Sequence, residues 1–494
     1  MSTAASTGFC RVTVVAPDSR IDVALPEDIA VADVYPELLR LTGQTQPAGT
    51  PAGYHLVRRD GTVLDGARTL AAQQVLDGEL LSLRPFAESL PPAVFDDVSD
   101  AVASAVVRDR HRWSDDMLRG AGLAGAVLLL VLLGFVLWYA DPVRHDMHGL
   151  PGIIAGAAGI LLTACAGVRA RVYDDRGSAV ALGLGALPHL LIAGSGIIAP
   201  AAGDGPGRLQ FLLGCVCVLT ASVALVALTP SGDAPFVAAT FLAATGTLAT
   251  FAAILTEASA TATAAVCAPV AIGLVAFLPG LSARFARLPI GYAAPRSAAD
   301  AYAYDAPDTD DRADRAETAP VDAERIAAQA RRGHEMLLGL VAGSAAVVVG
   351  SAAVLGFSGN TWGKLLALAA GLAMLLRARL FRYTSQVACA LAAGLAAIAL
   401  LILGMALNPP YDLLRELVQY GDRGPLDLRT IWLSACVAAG AALLTGISLV
   451  IPRKGLSPFW GRLLDLTEAA VLLSLVPLCL AVLDVYSRAR SLTS

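Results

Sequence analysis

Eleven apolar stretches follow a polar N-terminal segment of about a hundred residues, and this arrangement limits the possible folds more than any other feature. The hydrocarbon core of a bilayer is about 30 Å thick, so a helix needs roughly 20 apolar residues to cross it. The stretches lie at 118–140, 150–168, 177–199, 208–229, 235–255, 261–281, 335–357, 361–377, 384–407, 429–451 and 466–487. The pattern predicts a mostly α-helical polytopic membrane protein with 11 transmembrane helices and a soluble N-terminal domain.

The composition supports this class and argues against nucleic-acid binding. Hydrophobic residues make up 56% of the 494 residues and charged residues 16%, whereas soluble domains carry about 25% charged residues. The formal net charge is -5 and the basic residues are scattered over loops, without the basic face that nucleic acids need. Only Lys364 and Lys454 are lysines among the 36 basic residues, which indicates a GC-rich, actinobacterial genome.

The N-terminal segment has the element order of a small domain built on one sheet. Residues 10–15 and 20–25 alternate apolar and polar side chains on either side of a turn, which predicts a β-hairpin. A helix beginning near Asp28 follows, with Val34, Leu38 and Leu41 as its apolar stripe and Gly43 at its C-cap. Two more strands are predicted at 54–58 and 78–84. Together these elements predict a ubiquitin-like β-grasp.

This N-terminal domain, residues 1–90, is called the head below. Its segment 69–79 resembles the late stretch of ubiquitin-like domains, in which an Asp-Gly turn, here Asp77-Gly78, starts the closing strand. Ubiquitin-type modifiers need a free C-terminal diglycine, but the head continues into the chain and contains no lysine. The sequence therefore favours a protein-docking surface over a conjugated modifier.

The remaining boundaries follow from changes in composition. We expect an amphipathic connecting helix at 91–117 with a basic collar at 108–112, helices one to six at 118–281 and a cytoplasmic linker loop at 282–334. Helices seven to eleven then occupy 335–487 and an extracytoplasmic tail 488–494. Inside the linker, 321–332 predicts a short helix anchored by Ile326, and 409–427 predicts a helix on the outer surface.

The distribution of arginines gives the orientation. Cytoplasmic loops of membrane proteins are enriched in Lys and Arg. The loops after the second, sixth, eighth and tenth stretches carry Arg169, Arg171, Arg176, Arg284, Arg287, Arg331, Arg332, Arg377, Arg379, Arg382, Arg453, Lys454 and Arg462. The mild exceptions are Arg488, Arg490 and the loop that holds Arg415, Arg423 and Arg429. Because no signal peptide precedes the head, we predict a cytoplasmic N-terminus and, with an odd number of helices, an extracytoplasmic C-terminus.

The sequence offers little catalytic, metal or cofactor chemistry. Seven of the eight cysteines lie in apolar stretches and no C-x-x-C occurs, so we expect no metal site. The segment 359–365 has the wrong spacing for a phosphate loop. His189 is the one ionisable side chain near mid-membrane, either a functional group or a structural histidine. We therefore predict no catalytic residue, no cofactor and no enzyme activity.

Two further groups of residues favour structural roles. Glu257, Asp465, Glu468 and Asp484 lie near the ends of the stretches, where interface contacts are the simpler explanation. The pairs Gly152/Gly156 and Gly339/Gly343 match the G-x-x-x-G helix-contact pattern. In so Gly- and Ala-rich a chain, general tight packing is the simpler explanation of these pairs.

The complete architecture resembles EccD, the polytopic membrane component of actinobacterial type VII (ESX) secretion systems. The resemblance rests on the head, the eleven stretches and the long loop after the sixth. It extends to the C-terminal pattern of Ser457-Pro458, Glu468, Pro477, Val485-Tyr486 and Arg488. It implies a multi-pass scaffold of the inner membrane that dimerises, encloses lipids and works beside an EccC-type ATPase and EccB- and EccE-type subunits.

Two other classes of function compete with this scaffold. A secondary transporter with a regulatory β-grasp domain needs discontinuous helices at mid-membrane, for which Pro188 and Pro269 are the candidate breaks. An intramembrane enzyme needs a paired nucleophile and base, which the sequence does not suggest. The secreted substrates and the particular type VII system are not encoded in any recognisable motif.

Overall fold

The computed structural model describes residues 8–17, 19–44, 53–85, 114–201, 205–229, 233–287, 323–454 and 457–493. The chain forms two compact units, Met1–Arg112 and Trp113–Ser494. Most of the predicted connecting helix, including the basic collar at 108–112, and the acidic part of the linker at 300–319 lie outside the described residues.

The head is a four-stranded sheet with one helix packed against it. Its elements are β1 (Phe9–Val15), β2 (Arg20–Pro26), α1 (Val31–Leu41), β3 (Tyr54–Arg58), a 3-10 turn (Ala71–Gln73) and β4 (Glu79–Pro85). The strand order is β2-β1-β4-β3, with β1 and β4 parallel and both outer pairs antiparallel. Buried Val34 and Leu38 of α1 join the strand residues in one core. This is the predicted β-grasp.

The turns of the head occur where the sequence placed them. Gly43, after α1, and Gly78, before β4, have φ of +69° and +83°, a region that glycine adopts without strain. The Oδ1 of Asp77 accepts a hydrogen bond from the Arg11 backbone N–H at 2.5 Å. The Asp-Gly turn is therefore tied to β1.

Two predictions about α1 were wrong. The helix begins at Val31, not near Asp28, because the backbone of Glu27 and Ala30 pairs instead with the segment containing Thr69 and Ala71. Leu41, predicted to lie in the buried stripe, is 43% exposed.

The second unit is entirely helical in its described residues. Its helices are α2 (Asp115–Trp138), α3 (Leu150–Arg171), α4 (Arg176–Ser195), α5 (Arg208–Leu228), α6 (Ala234–Thr256), α7 (Ala260–Val275), α8 (Leu278–Phe285), α9 (Ala323–Gly356), α10 (Thr361–Arg377), α11 (Thr384–Leu407), α12 (Tyr411–Tyr420), α13 (Gly424–Lys454), α14 (Pro458–Val482) and α15 (Val485–Thr493). Every predicted apolar stretch contains a helix.

Length and composition alone do not fix the number of membrane crossings. Within the described ranges, nine helices are long and apolar enough to cross a membrane, and α7 with α8, bent by 65°, forms a tenth candidate. Helix α10 has 17 residues, slightly fewer than the roughly 20 that a span needs. The count of eleven stays a prediction.

Several helix boundaries differ from those predicted. The helix expected at 321–332 is the first part of α9, which runs unbroken for 34 residues, so the predicted boundary at 334 falls inside a helix. Helix α2 begins at Asp115, capped by Ser114, and α14 begins at Pro458 rather than 466. Helix α14 ends before Asp484, whose φ of +55° is incompatible with a continuing α-helix.

Small residues let the membrane helices approach closely. A β-carbon at Gly343 of α9 would lie 2.7 Å from Cβ of Phe241 on α6, and one at Gly339 would lie 2.5 Å from the Ala234 carbonyl oxygen. A β-carbon at Gly156 would lie 3.5 Å from Ala193. Both predicted glycine pairs therefore serve helix packing within one chain. The main core of the unit is an Ala-rich cluster of α7, α9, α10 and α11.

Candidate functional site

Ion pairs connect helix ends at one face of the membrane unit. Asp175 lies just before α4, accepts hydrogen bonds from Arg119 of α2 and Arg169 of α3, and caps α4 through the Ser178 backbone N–H. The bonds from Ser178, then those from Arg169 and the charge of Arg119, lower the pKa of Asp175 to about 2. The carboxylate therefore holds three helices together while it is ionised.

A second tie lies next to the first. Arg176, at the start of α4, pairs with Glu335 of α9 at 2.7 Å. Asp233, just before α6, is fully buried, and neither carboxyl oxygen has a hydrogen-bond partner among the described residues. Burial raises the pKa of Asp233, the charge of Glu335 adds to the increase, and Arg332 and Arg176 oppose it.

A third set of ion pairs connects the later helices. Arg379, after α10, pairs with Glu468 at 2.9 Å and with Asp465 at 3.2 Å, both on α14. The ring of His334 on α9 lies 4.2 Å from that of Tyr383, which precedes α11. Contacts at the membrane interface were predicted for both acidic residues, and in the structure both pair with Arg379. Glu257 also makes a contact of this kind, because its backbone carbonyl oxygen accepts a hydrogen bond from Arg208.

Three arginines cap neighbouring helices, a role that the sequence did not reveal. Arg171 donates to the carbonyls of Leu228 at 2.9 Å and Ala227 at 2.6 Å, at the end of α5. Arg208 donates to the Ala253 carbonyl near the end of α6 at 2.8 Å, and Arg429 donates to the Met405 carbonyl near the end of α11. The last carbonyls of a helix lack partners within it, so each arginine satisfies groups that lipid cannot.

The mid-membrane histidine is built into the packing. His189 is fully buried, and its Nδ1 lies 2.8 Å from the Gly185 carbonyl oxygen one turn earlier in α4. Because a carbonyl only accepts, Nδ1 carries the hydrogen. Pro188 and Pro269, the candidate breaks of a transporter, both lie inside continuous helices. The described residues contain no group of acidic, His and Cys side chains able to hold a metal.

The segment 359–365 has a structural explanation. The Asn360 side chain accepts hydrogen bonds from the backbone N–H groups of Trp362 at 2.9 Å and Gly363 at 3.2 Å. It is the N-cap of α10, an arrangement in which the free N–H groups of the first turn are already occupied. The segment 359–365 is therefore an N-terminal helix cap and not a phosphate-binding loop.

Helix α13 is the least buried of the long helices described, and α2 and α14 are nearly as exposed. In the most apolar stretch of 18 residues of α13, none is buried, and the side chains are exposed from Ser434 to Val450. The exposed surface combines large apolar side chains such as Leu443 and Ile447 with the small run Ala438–Ala442. The apolar side chains of the preceding helix α12, including Val418, are also exposed. Apart from its contact with α11 near Arg429, α13 is left largely uncovered by the described chain.

Comparison with known proteins identifies the family of the chain. Residues 118–492 match the family model described as the EccD-like transmembrane domain. The chain belongs to the EccD family. Residues 9–83, the head, match the family model of YukD, a protein of the WXG100 protein secretion system. The resemblance found in the sequence is thus confirmed for both units.

One curated relative covers nearly the whole chain and another covers about half of it. The chain is 28% identical over 501 residues to the ESX-4 secretion system protein eccD4 of Mycobacterium tuberculosis, with 98% of each protein covered. It is 28% identical over 245 residues to the ESX-3 secretion system protein EccD3 of the same species, covering 47% of this chain and 50% of that protein. The mycobacterial relatives agree with the actinobacterial composition.

Solved structures share the fold. A protein in the structure of protomer 1 of the ESX-3 core complex superimposes with a TM-score of 0.57 at 18% identity, covering 97% of this chain and 100% of that chain. One in the MycP5-free ESX-5 inner membrane complex gives 0.51 at 21%, covering 88% and 99%. As an EccD family member, the chain is a non-enzymatic, multi-pass structural subunit of a type VII secretion system in the inner membrane.

Proposed function

We propose that this EccD family member forms a homodimer within the secretion complex and uses its cytoplasmic face to dock the EccC-type ATPase and the EccB- and EccE-type subunits. The observation that carries the proposal is the exposed edge formed by α12 and α13. Helix α13 has little contact with the rest of its own chain, so packing within the chain does not account for its surface of small residues. Packing against another protein gives such a helix a role.

The chemistry of α13 favours a second copy of this chain as its main partner. Helices associate in membranes through close contact of small residues rather than through the hydrophobic effect. Ala438–Ala442 and Gly446 provide such a surface, and no heavy atom lies within 4 Å of a β-carbon added at Gly440 or Gly446. The same surface on two copies allows a symmetric contact.

A native cysteine makes this contact measurable. Cys436 lies on α13 and is exposed, whereas Cys165 is exposed on α3. We expect a variant that keeps only Cys436 to form a disulfide-linked dimer when membranes are oxidised, and a matched variant that keeps only Cys165 to remain uncrosslinked. Equal crosslinking of both variants, or crosslinking of the Cys165 variant alone, would place the dimer contact elsewhere.

The proposed topology has eleven crossings with the N-terminus inside. Arg176 and Glu335 share a face, and α4, α5, α6 and the α7–α8 pair lie between them. The two residues can meet at one face only if the chain between them crosses the membrane an even number of times. This favours counting the bent α7–α8 pair as one crossing. His334 and Tyr383 are separated by α9 and α10, and the same reasoning makes α10 a crossing.

Reporter fusions test this topology. Fusions after Asp175, Arg287 and Arg382 are expected to report the cytoplasm, because the positively charged loops mark the inner face. Fusions after Asp146 and Arg490 are expected to report the outside. A cytoplasmic signal at Arg490 would refute the odd number of crossings even if the first three fusions behaved as expected.

Docking by the head is supported by its separate core and its match to YukD. We expect deletion of residues 1–90 to leave the membrane unit inserted but to reduce the recovery of the ATPase and sister subunits in pull-downs, and hence secretion. Wild-type recovery after this deletion would remove the head from the docking surface. A matched deletion of residues 488–494 should leave the recovery unchanged.

A further inference from the structure

An elongated groove runs between five helices of the membrane unit. It has a volume of about 900 Å³ and is lined by α4, α5, α6, α7 and α9. Its walls are apolar and small, with Leu187, Cys215, Ala243, Ala264 and Gly350 representing the five helices. Along α6 the lining extends from Ala239 to Ala253, which is about 21 Å at 1.5 Å per residue.

One end of the groove is charged. Arg208 lines it together with Pro206 and Gly207, next to Ala253 and Ala258. Two of its N–H groups are occupied, one by the Ala253 carbonyl at 2.8 Å and one by the Glu257 carbonyl at 3.4 Å. A guanidinium has five N–H donors, so three are available. Among the described residues, no ion pair joins Arg208 to an acidic side chain.

The size and lining of the groove suit a small amphipathic molecule. Its volume of about 900 Å³ lies within the range of about 300–1,000 Å³ that is usual for small-molecule sites, which are mostly apolar with few polar groups. The groove therefore offers apolar walls for a hydrocarbon chain and one cationic end, at Arg208, for an anionic group.

We propose that the groove is a binding site for one anionic phospholipid. One of its two acyl chains lies parallel to α5 and α6 among the small side chains, and its phosphate is bound by Arg208 at the helix ends. Arginine forms strong, charge-assisted hydrogen bonds with phosphate. Arginines at the ends of membrane helices extend their charged groups to the headgroup region. This site lies within one chain and is independent of the dimer surface on α13.

Titration of the purified full-length chain by native mass spectrometry tests the proposal. The probes are phosphatidylglycerol and phosphatidylcholine with the same acyl chains. The wild type is expected to retain one phosphatidylglycerol about tenfold more tightly than phosphatidylcholine. Arg208→Gln should abolish this preference, and Arg208→Lys should restore part of it. Arg423→Gln, which removes an exposed arginine outside the groove, should behave like the wild type.

The apolar part of the site needs its own variants. Gly350 lines the groove, and no heavy atom lies within 4 Å of a β-carbon added there, so Gly350→Leu fills the groove without a clash. It should eliminate the retained lipid of either headgroup. Gly273→Leu is the matched control, because Gly273 has the same open surroundings but does not line the groove.

Clear outcomes would overturn the proposal. If Gly350→Leu keeps the bound lipid, or if Arg208→Gln keeps the preference for phosphatidylglycerol, the lipid binds elsewhere. Should Gly350→Leu be poorly folded, Ala249→Phe fills the same groove from α6, with exposed Ala252→Phe as its control. None of these measurements depends on dimerisation or on partner subunits, so failure here leaves the proposed scaffold role intact.

Discussion

Helices α9 and α13 are comparably apolar, but they differ in burial. In the most apolar 18-residue stretch of each helix, half of the residues of α9 are buried and none of those of α13. Helix α9 packs against α6, α7, α10 and α11, whereas the main neighbour of α13 among the described helices is α11. In a membrane, apolar character shows only that a helix is compatible with lipid, because lipid tails are as apolar as a protein core. Hydropathy therefore predicts insertion but not packing.

The contrast is one of position rather than composition. Both helices carry glycines, but a β-carbon at Gly343 of α9 meets Phe241, whereas one at Gly446 of α13 meets nothing within 4 Å. Small residues favour close packing only where another helix is present. On α13 they are available to another molecule, as the proposed dimer requires.

The sharpest test of this comparison truncates one leucine on each helix. Leu355 of α9 is fully buried and Leu444 of α13 is 47% exposed. We expect Leu355→Ala to destabilise the monomer by about 2–5 kcal/mol, as cavity-forming substitutions do, and Leu444→Ala to have little effect. Thermal unfolding of the detergent-solubilised monomer measures both. Equal losses would show that α13 is packed within its own chain.

Adding volume gives the converse test. Gly343→Leu places a side chain against Phe241 and the Ala238 carbonyl, and overpacking of this kind costs about 1–3 kcal/mol. Gly446→Leu should leave the unfolding temperature of the monomer unchanged but reduce the dimer fraction in membranes. If Gly446→Leu destabilised the monomer as much as Gly343→Leu, the comparison would fail.

The ion pairs of the packed side predict an acid-sensitive fold. The pKa of Asp175 is about 2 in the folded state against an ordinary value of 3.8, so its stabilisation is complete above about pH 4 and is lost as the pH falls toward 2. Asp175→Asn should lower the unfolding temperature at pH 7 and flatten this acid dependence. Asp174→Asn, at the neighbouring position, is the control. An unchanged acid slope in Asp175→Asn would contradict the assignment.

Asp233 predicts a smaller effect of opposite sign. Burial raises the pKa of this carboxyl above 3.8, so stability is highest below that pH and falls as the pH rises through the folded-state pKa. Asp233→Asn should therefore slightly increase the unfolding temperature at neutral pH. Asp427→Asn, at the exposed start of α13, should not. A lower unfolding temperature for Asp233→Asn would mean that the buried carboxylate is stabilising.

The head shows the same division between pattern and packing. The alternation of apolar residues predicted β1, β2 and β3 to within a residue or two, and the Asp-Gly turn predicted the start of β4. Helix α1 was predicted with the correct face, but Leu41 is exposed whereas Leu38 is buried. Helical spacing places both residues near one face. Only the extent of the sheet determines which of them is covered.

The functional surface was the least predictable part. Nothing in the sequence distinguishes α13 from α9, and the role of Arg208 depends on the ends of α5 and α6 meeting. The sequence shows an arginine at the start of a helix, but the carbonyl that it caps belongs to Ala253, 45 residues later in the chain. Local sequence patterns contain no information about such distant partners.

The sequence by itself determined the class of the protein, the positions of its helices, the β-grasp order of the head and the family. These follow from local physics: the length of an apolar run, the period of a strand and the chemistry of a turn. Only the tertiary structure decided which helices are buried, which ion pairs connect them and where the groove lies. Those properties depend on contacts between residues far apart in the chain, and lipid and protein surfaces accept the same side chains.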